Sequence, residues 1–282
     1  MSTASGLPSA TLHVARNIAK AALLFGGLSV GLGALAWWLG GLPAGLGGLA
    51  VGLCAAMTLL LIGDRVLLGM LHAAVMPVED APALASVVCQ LAERMEVDVS
   101  ELYAIDDDHP RAFVLAGAPR QSSLVVTTGF LELGAVADLE GLVAHELAHL
   151  RHRDTIVQTP IVVIAASMLE LARLTGPLRR ATLVVLGPVA GSIVHLFLSP
   201  KRELAADRTA DAATTTPNAV AEGLQRLDRA SELVPFSASP ATEPLYTIDP
   251  FDGEGLAPWF STHPPLPERL AQLGAQAPVP ST

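Results

Sequence analysis

A chain of 282 residues can bury a sizeable core and form one or two domains. Its composition, 51% hydrophobic against 16% charged with 24 glycines, and its positive mean hydropathy speak against a freely soluble enzyme and for a membrane protein. A net charge of −10 without any basic stripe argues against nucleic acid as a partner.

In chain order, residues 1–17 read as a polar, poorly ordered tail with His13 and Arg16 near its end. Residues 18–39 are almost wholly apolar apart from Lys20. A second apolar block, 44–62, follows Gly40-Gly41-Leu42-Pro43 and is closed by Asp64-Arg65. Crossing about 30 Å of hydrocarbon takes roughly 20 helical residues, so both blocks are long enough. The Gly/Pro turn between them predicts a transmembrane hairpin over 18–69. Ala34-Leu35-Ala36 resembles a signal-peptide cleavage site, but a second spanning block following at once is not the pattern of a cleaved leader. Arg16 and Lys20 before the first span, with Arg65 after the second, put both outer ends in the cytoplasm.

Between Glu79 and Asp108 nine carboxylates face a single Arg94, which reads as a solvated face. Residues 82–95 have the texture of an amphipathic helix carrying Cys89, while Cys54 lies in the second apolar block. With no CxxC pair, neither a disulfide framework nor a cysteine metal site is expected, and a reducing compartment fits. Residues 112–116 and 124–127 predict two strands joined by a turn around Gly117-Ala118-Pro119-Arg120. Asp138 is a fitting N-cap for the helix that follows.

Two further apolar blocks, 156–171 and 181–198, flank Thr175-Gly176-Pro177 and contain Gln158, Pro160, Glu170 and His195. Arg173, Arg179 and Arg180 in their connecting turn would fall outside, against the positive-inside tendency. This second hairpin either spans imperfectly or lies buried against the protein; membrane insertion is the expectation adopted. Ser199-Pro200 restarts structure, with Ser as N-cap and Pro at the first helical position. An amphipathic helix runs from Thr216-Pro217 to about Leu233. Residues 235–262 are a Pro-, Ser- and Gly-rich loop with the length and position of a lid, and 267–273 form a short closing helix.

The chemistry concentrates in Val143-Ala144-His145-Glu146-Leu147-Ala148-His149-Leu150-Arg151-His152-Arg153-Asp154. Residues four apart share one helix face, so His145 and His149 can aim two imidazoles at one ion while Glu146 flanks it without ligating. His152 shares that face but lies about 10.5 Å along the axis from His145, too far for one tetrahedral shell. It is expected at the surface of the helix end, partly cationic in the helix dipole. A third histidine in the form His-x-x-Gly-x-x-His is absent, because residues 150–155 lack both the glycine and the last histidine. The third ligand must come from another element. Glu170 is embedded in apolar sequence, whereas Glu203 opens a helix in which Asp207, one turn on, can accept the far N–H of a ligating histidine. Glu203 with Asp207 is the better pair.

Taken in order, "HELAHLRHRD", a hydrophobic hairpin, "SPKRELAAD" and "STHPPLPERL" resemble the HtpX-like membrane zinc peptidases, relatives of the CAAX prenyl-protein peptidases in the gluzincin group. "RAFVLAG" and "SLVVTTGFLE" are similar to the family's Asn-Ala-Phe segment and the strand after it, and the likeness extends over about residues 75–275. The resemblance implies a mainly α fold with a small β-sheet: an integral membrane protein with about four hydrophobic helices and a gluzincin-type zinc peptidase domain. Its parts would be the tail 1–17, the transmembrane hairpin 18–69, a first catalytic part 70–155, the second hairpin 156–198 and a second catalytic part 199–282. One Zn2+ per chain would be held by His145, His149 and Glu203, with Asp207 behind His145 and Glu146 as catalytic base. His263, in Thr262-His263-Pro264-Pro265, would stand near the scissile carbonyl; on its own residues it reads equally as a buried histidine before two prolines. Arg269 would order that segment.

An extended substrate would pair with the strand at Ala112, Phe113 and Val114, next to Arg111. Arg111 stands where the family often has Asn, which bears on substrate preference, and Pro200 stands where an arginine is common. Expected substrates are polypeptides, membrane or misfolded proteins handled in quality control. The expected setting is the inner membrane, multi-pass, with the active site facing the cytoplasm. A catalytically silent membrane protein that keeps zinc for structure or partner binding is the alternative. A small transporter is disfavoured, because the apolar blocks lack paired charges.

Overall fold

A computed structural model describes residues 10–117, 121–134, 139–233, 243–247 and 262–274. The first two apolar blocks form one helical element, α1 (Thr11–Met70), whose helical backbone is broken at Gly40 and Gly41. Gly41 adopts φ 73°, a left-handed geometry that a side chain disfavours, and the chain folds back there. The two arms then pack closely. A Cβ at Gly48 would meet Ala36 Cβ and Leu32 O, each at 2.8 Å, and one at Gly52 would meet Ser29 Cα at 2.6 Å. Only glycine lets two helix backbones approach so far, and such packing replaces the hydrophobic drive that is missing in lipid. The outward face of the hairpin is apolar, with Leu23, Trp37, Trp38, Leu46 and Val51 exposed.

The helical element reaches further toward the N-terminus than the expected hairpin at 18–69. Residues 11–17 are the first turns of α1 rather than a loose tail, and Asn17 is buried. The His152 ring and carbonyl and the Asp154 carboxylate supply the partners that order them.

The second hairpin is α5 (Thr155–Leu174), a 3-10 turn (Gly176–Leu178) and α6 (Arg179–Phe197). Among the described residues, three helical elements could cross a membrane by length and composition: Thr11–Met70, Thr155–Ala172 and Gly176–Phe197. The break in α1 makes two such segments of the first. The α5 window is 61% buried and that of α6 only 17%, so α5 is an internal helix and α6 presents its apolar side outward. Arg173 belongs to the last turn of α5 and Arg179 opens α6, so the connecting turn is shorter than expected.

The sheet has four strands, β1 (Ala74–Val75), β2 (Glu101–Ile105), β3 (Ala112–Gly117) and β4 (Gln121–Thr127), in the order β1-β2-β4-β3. β2 and β4 are parallel; β1 with β2 and β3 with β4 are antiparallel. The β3–β4 pair matches the two expected strands, with part of its turn, 118–120, outside the described residues. β2 and β1 were not expected. Side chains of β3 alternate between two cores: Ala112 and Val114 face the catalytic helices, Phe113 and Leu115 face α1 and α5. Burial on both faces explains why this stretch is continuously apolar.

The remaining helices are α2 (Pro82–Met95), α3 (Thr128–Leu131), α4 (Glu140–His152), α7 (Lys201–Ala213), α8 (Ala219–Leu233) and α9 (Leu266–Gln272). α4 is the hub, buried over nearly its whole length between α2, α7, α8 and the sheet. Glycines make that possible: a Cβ at Gly141 would collide with the Ala219 carbonyl, and one at Gly223 would crowd Leu142. Asp138, expected to cap α4, lies outside the described residues, as does most of the 235–262 loop. α7 starts one residue later than expected, with Pro200 at the cap and Ser199 Oγ only 3.4 Å from Lys201 N. Most of the acidic run is exposed, and Arg94 pairs instead with Glu140 at 3.5 Å.

His152 departs from expectation. It is buried, 2% exposed, with Nε2 3.1 Å from Thr209 Oγ1 and its ring stacked on His13. Burial pushes its pKa down to about 4, helped by neighbouring His149, His13 and Arg151 and opposed by Asp154. The helix dipole loses to desolvation here, so the ring is neutral at pH 7.

Overpacking a glycine contact costs about 1–3 kcal/mol. Gly48→Leu should therefore lower the melting temperature of the detergent-solubilised protein by several degrees. Gly27→Leu, at a position with open space around it, should leave it unchanged.

Candidate metal centre

His145 and His149 project from α4 one turn apart, and Glu203 reaches them from the first turn of α7. All three are buried, and one ligand atom from each lies within 4.8 Å of the others. The two Nε2 atoms are 3.3 Å apart; Glu203 Oε2 is 3.2 Å from His145 Nε2, and Oε1 is 3.6 Å from His149 Nε2. Ligand bonds of about 2.05 Å in a tetrahedral shell put neighbouring donors roughly 3.3 Å apart, which these spacings match.

The opposite side of each imidazole is occupied. His145 Nδ1 is 2.8 Å from Asp207 Oδ1, and His149 Nδ1 is 2.7 Å from Asp154 Oδ2. With both Nδ1 atoms donating to carboxylates, both Nε2 lone pairs point into the shared space. Neither Glu203 oxygen accepts a hydrogen bond, although both are buried. Two converging nitrogens and a buried carboxylate whose oxygens accept no well-formed hydrogen bond fit a cation. Protons are the alternative: burial works against charge on His149, but Glu203 and Asp154 overcome it and raise its pKa to about 10. Metal and proton thus compete for the same nitrogen.

Arg269 of α9 fixes Asp207 from behind, with Nε and Nη2 donating to its two oxygens at 2.8 and 2.7 Å and Nη1 donating to the Thr247 carbonyl. Expected to order the segment around His263, Arg269 contacts Asp207 and the Thr247 carbonyl. Opposed by burial, this guanidinium and His145 hold the Asp207 carboxyl well below the usual range. Arg202 sits beside Glu203, its Nε 3.1 Å from Oε1, and donates to Gln158 Oε1 at 2.6 Å. Gln158 Nε2 in turn donates to the Pro244 carbonyl at 2.9 Å. The short segment 243–247, with its 3-10 turn (Glu243–Leu245), is in this way pinned across the site.

Glu146 is buried next to this cluster and accepts a hydrogen bond from Thr247 Oγ1 at 2.9 Å. Burial raises its pKa, and the flanking imidazoles and Thr247 counteract part of the rise. His263 is also buried, with Nδ1 3.4 Å from Glu203 Oε2, so it joins the centre. Ala112, Phe113 and Val114 lie on β3, an edge strand of the sheet, and the Ala112 carbonyl is 3.4 Å from Thr247 Oγ1. Arg111 is turned elsewhere: its guanidinium pairs with Asp107, donates to Tyr246 Oη at 3.0 Å and lies over the Tyr246 ring. Glu170 is an exposed residue near the end of α5 and does not belong to the cluster.

Three participants were not anticipated. Asp154 follows a helix stop in which Arg153 takes φ 56° and Asp154 N donates to the His149 carbonyl at 2.9 Å. That left-handed turn brings the carboxylate back under His149, and a chain-reversing residue after an HExxH helix is the only signal that could have shown it. Thr247 and Arg202 carry no periodic signature at all.

The model of peptidase family M48 matches residues 79–277. The protease HtpX homologue of Thermodesulfovibrio yellowstonii is 30% identical over 76% of this chain and 82% of its own length. That of Acidiphilium cryptum is 31% identical over 91% and 96%. The crystal structure of S. mikatae Ste24p resembles the fold, with a TM-score of 0.50 at 16% identity, over 89% of this chain and 63% of that one. With a metal-competent His-His-Glu cluster beside apolar helices, these matches place the chain in peptidase family M48, among the HtpX-like membrane proteases.

Proposed function

We propose that this membrane protease is a zinc-dependent endopeptidase that cuts membrane or misfolded proteins in quality control. It would be a multi-pass protein of the inner membrane with its site on the cytoplasmic face. The observation that carries the reading is the convergence of His145, His149 and Glu203 with Glu146 held beside them.

In this reading His145, His149 and Glu203 bind one Zn2+, and Asp207 and Asp154 fix the two imidazoles in the tautomer that ligates through Nε2. A Zn2+ held by these three residues would supply Lewis acidity toward the scissile carbonyl and would activate a water as nucleophile near neutral pH. Glu146 takes the proton of the attacking water and returns it to the leaving amine. His263 donates to the oxygen on which charge develops. Ala112, Phe113 and Val114 offer a strand edge to an extended substrate, which makes recognition depend on backbone more than side chains. Arg111, held by Asp107 and Tyr246, would fix the chain immediately before that edge. A catalytically silent protein would have no use for Glu146, because structural zinc sites close their fourth position with a ligand.

Glu146→Gln in detergent-purified protein should keep one zinc per chain while hydrolysis of an unfolded polypeptide falls by about 10²–10⁴-fold. Glu203→Gln should lose the zinc, and Glu170→Gln should retain it. Zinc-loaded wild type that cuts no unfolded or membrane protein would favour the silent reading. Thr247→Val tests the base: the hydrogen bond favours the ionised carboxylate, so its loss raises the pKa of Glu146. Since the base works only when ionised, the acid limb of kcat/KM should move to higher pH; an unmoved limb would remove Glu146 from that role.

A further inference from the structure

His13, Asn17 and Lys20 are spaced four and three residues apart, on one face of the first turns of α1. This polar face ends an otherwise apolar helix, and each member reaches a different point around the metal centre. The His13 ring stacks on His152 at 4.8 Å between centroids. Asn17 Nδ2 donates to Asp154 Oδ1 at 2.6 Å and to the His152 carbonyl at 3.1 Å. Lys20 Nζ donates to the Phe197 carbonyl at 2.6 Å, at the end of α6 that leads into α7 and Glu203.

Asn17 is the central contact. Asp154 uses one oxygen on His149 Nδ1 and the other on Asn17, and it is buried. Its direction therefore depends on both partners. A carboxylate held on one side only can rotate, and the imidazole it orients rotates with it. The same amide also takes up the last carbonyl of α4, locking the helix stop that delivers Asp154. A chain separation of 137 residues makes this a tertiary brace rather than a local cap.

We infer that Asn17 is a positioning residue for the metal centre, acting on His149 through Asp154. His13 extends the brace to the end of α4, and Lys20 extends it to the last residue of α6, just ahead of α7. The start of the membrane anchor is thus part of the peptidase site. The inference rests on reading His149 as a ligand.

The test measures Zn2+ affinity by chelator competition on full-length protein in detergent, together with melting temperatures of the zinc-free and zinc-loaded forms. Removing a direct partner of a ligating histidine costs about 10–100-fold in affinity, so one step further out Asn17→Leu should cost roughly 3–10-fold. Asn17→Asp, which sets a carboxylate against Asp154, should cost more. The melting-temperature gain on zinc loading should shrink in both variants. Should Asn17→Leu fail to accumulate as folded protein, Asn17→Ser, too short to reach Asp154, makes the same comparison. Melting temperatures that fall equally with and without zinc, at unchanged zinc affinity, would reduce Asn17 to a structural contact and overturn the inference. Glu203→Gln measured alongside separates the two ideas: retained zinc there means the metal-centre reading has failed, and lost zinc with unaffected Asn17 variants means only this one has.

Discussion

Two imidazole nitrogens 3.3 Å apart, with their lone pairs aimed at each other and at a carboxylate that accepts no hydrogen bond, are unfavourable in a dry interior. Positive charge between them, from a cation or from a protonated imidazole, resolves the conflict. Among the described residues, the carboxylates buried around this point are Glu146, Asp154, Glu203 and Asp207, and the buried guanidiniums are Arg202 and Arg269. A divalent cation brings that inventory to neutrality. Protonated imidazoles do the same work in its absence, which is why His149 is pushed toward the charged form despite its burial.

The fold supplies this convergence through α4. A helix carrying two ligands must be rigid, and α4 is packed between α2, α7, α8 and the sheet, with its contact to α8 made through glycines that a methyl group would crowd. The sheet also joins the catalytic half to the membrane half. Alternate residues of β3 belong to the core around α4 and to the core shared by α1 and α5. The edge proposed for substrate is therefore held between the metal centre and the apolar helices.

What was legible in the sequence was what repeats with a helical or strand period. His145 and His149, four apart, and Glu203 with Asp207, four apart, announce shared faces, and all four side chains meet as read. The strands at 112–116 and 124–127 and the helix at Pro82–Met95 also follow from pattern. Aperiodic contacts were hidden. Asp154 lies within the motif, yet its role depends on one left-handed residue; Thr247 comes from a loop with no pattern. The helix-end position of His152 suggests solvent, whereas α7 and the start of α1 cover it. For the same reason the residues before the first apolar block were taken for a tail. Polar side chains ahead of a membrane helix look solvated until their buried partners are known.

The most direct test of the metal centre is anomalous X-ray scattering at the zinc edge from crystals of the zinc-loaded Glu146→Gln protein. One strong peak per chain is expected between His145 Nε2, His149 Nε2 and the Glu203 carboxylate, with bond lengths of about 2.0–2.2 Å. A peak at any other group of side chains, or none at full zinc loading, would contradict it.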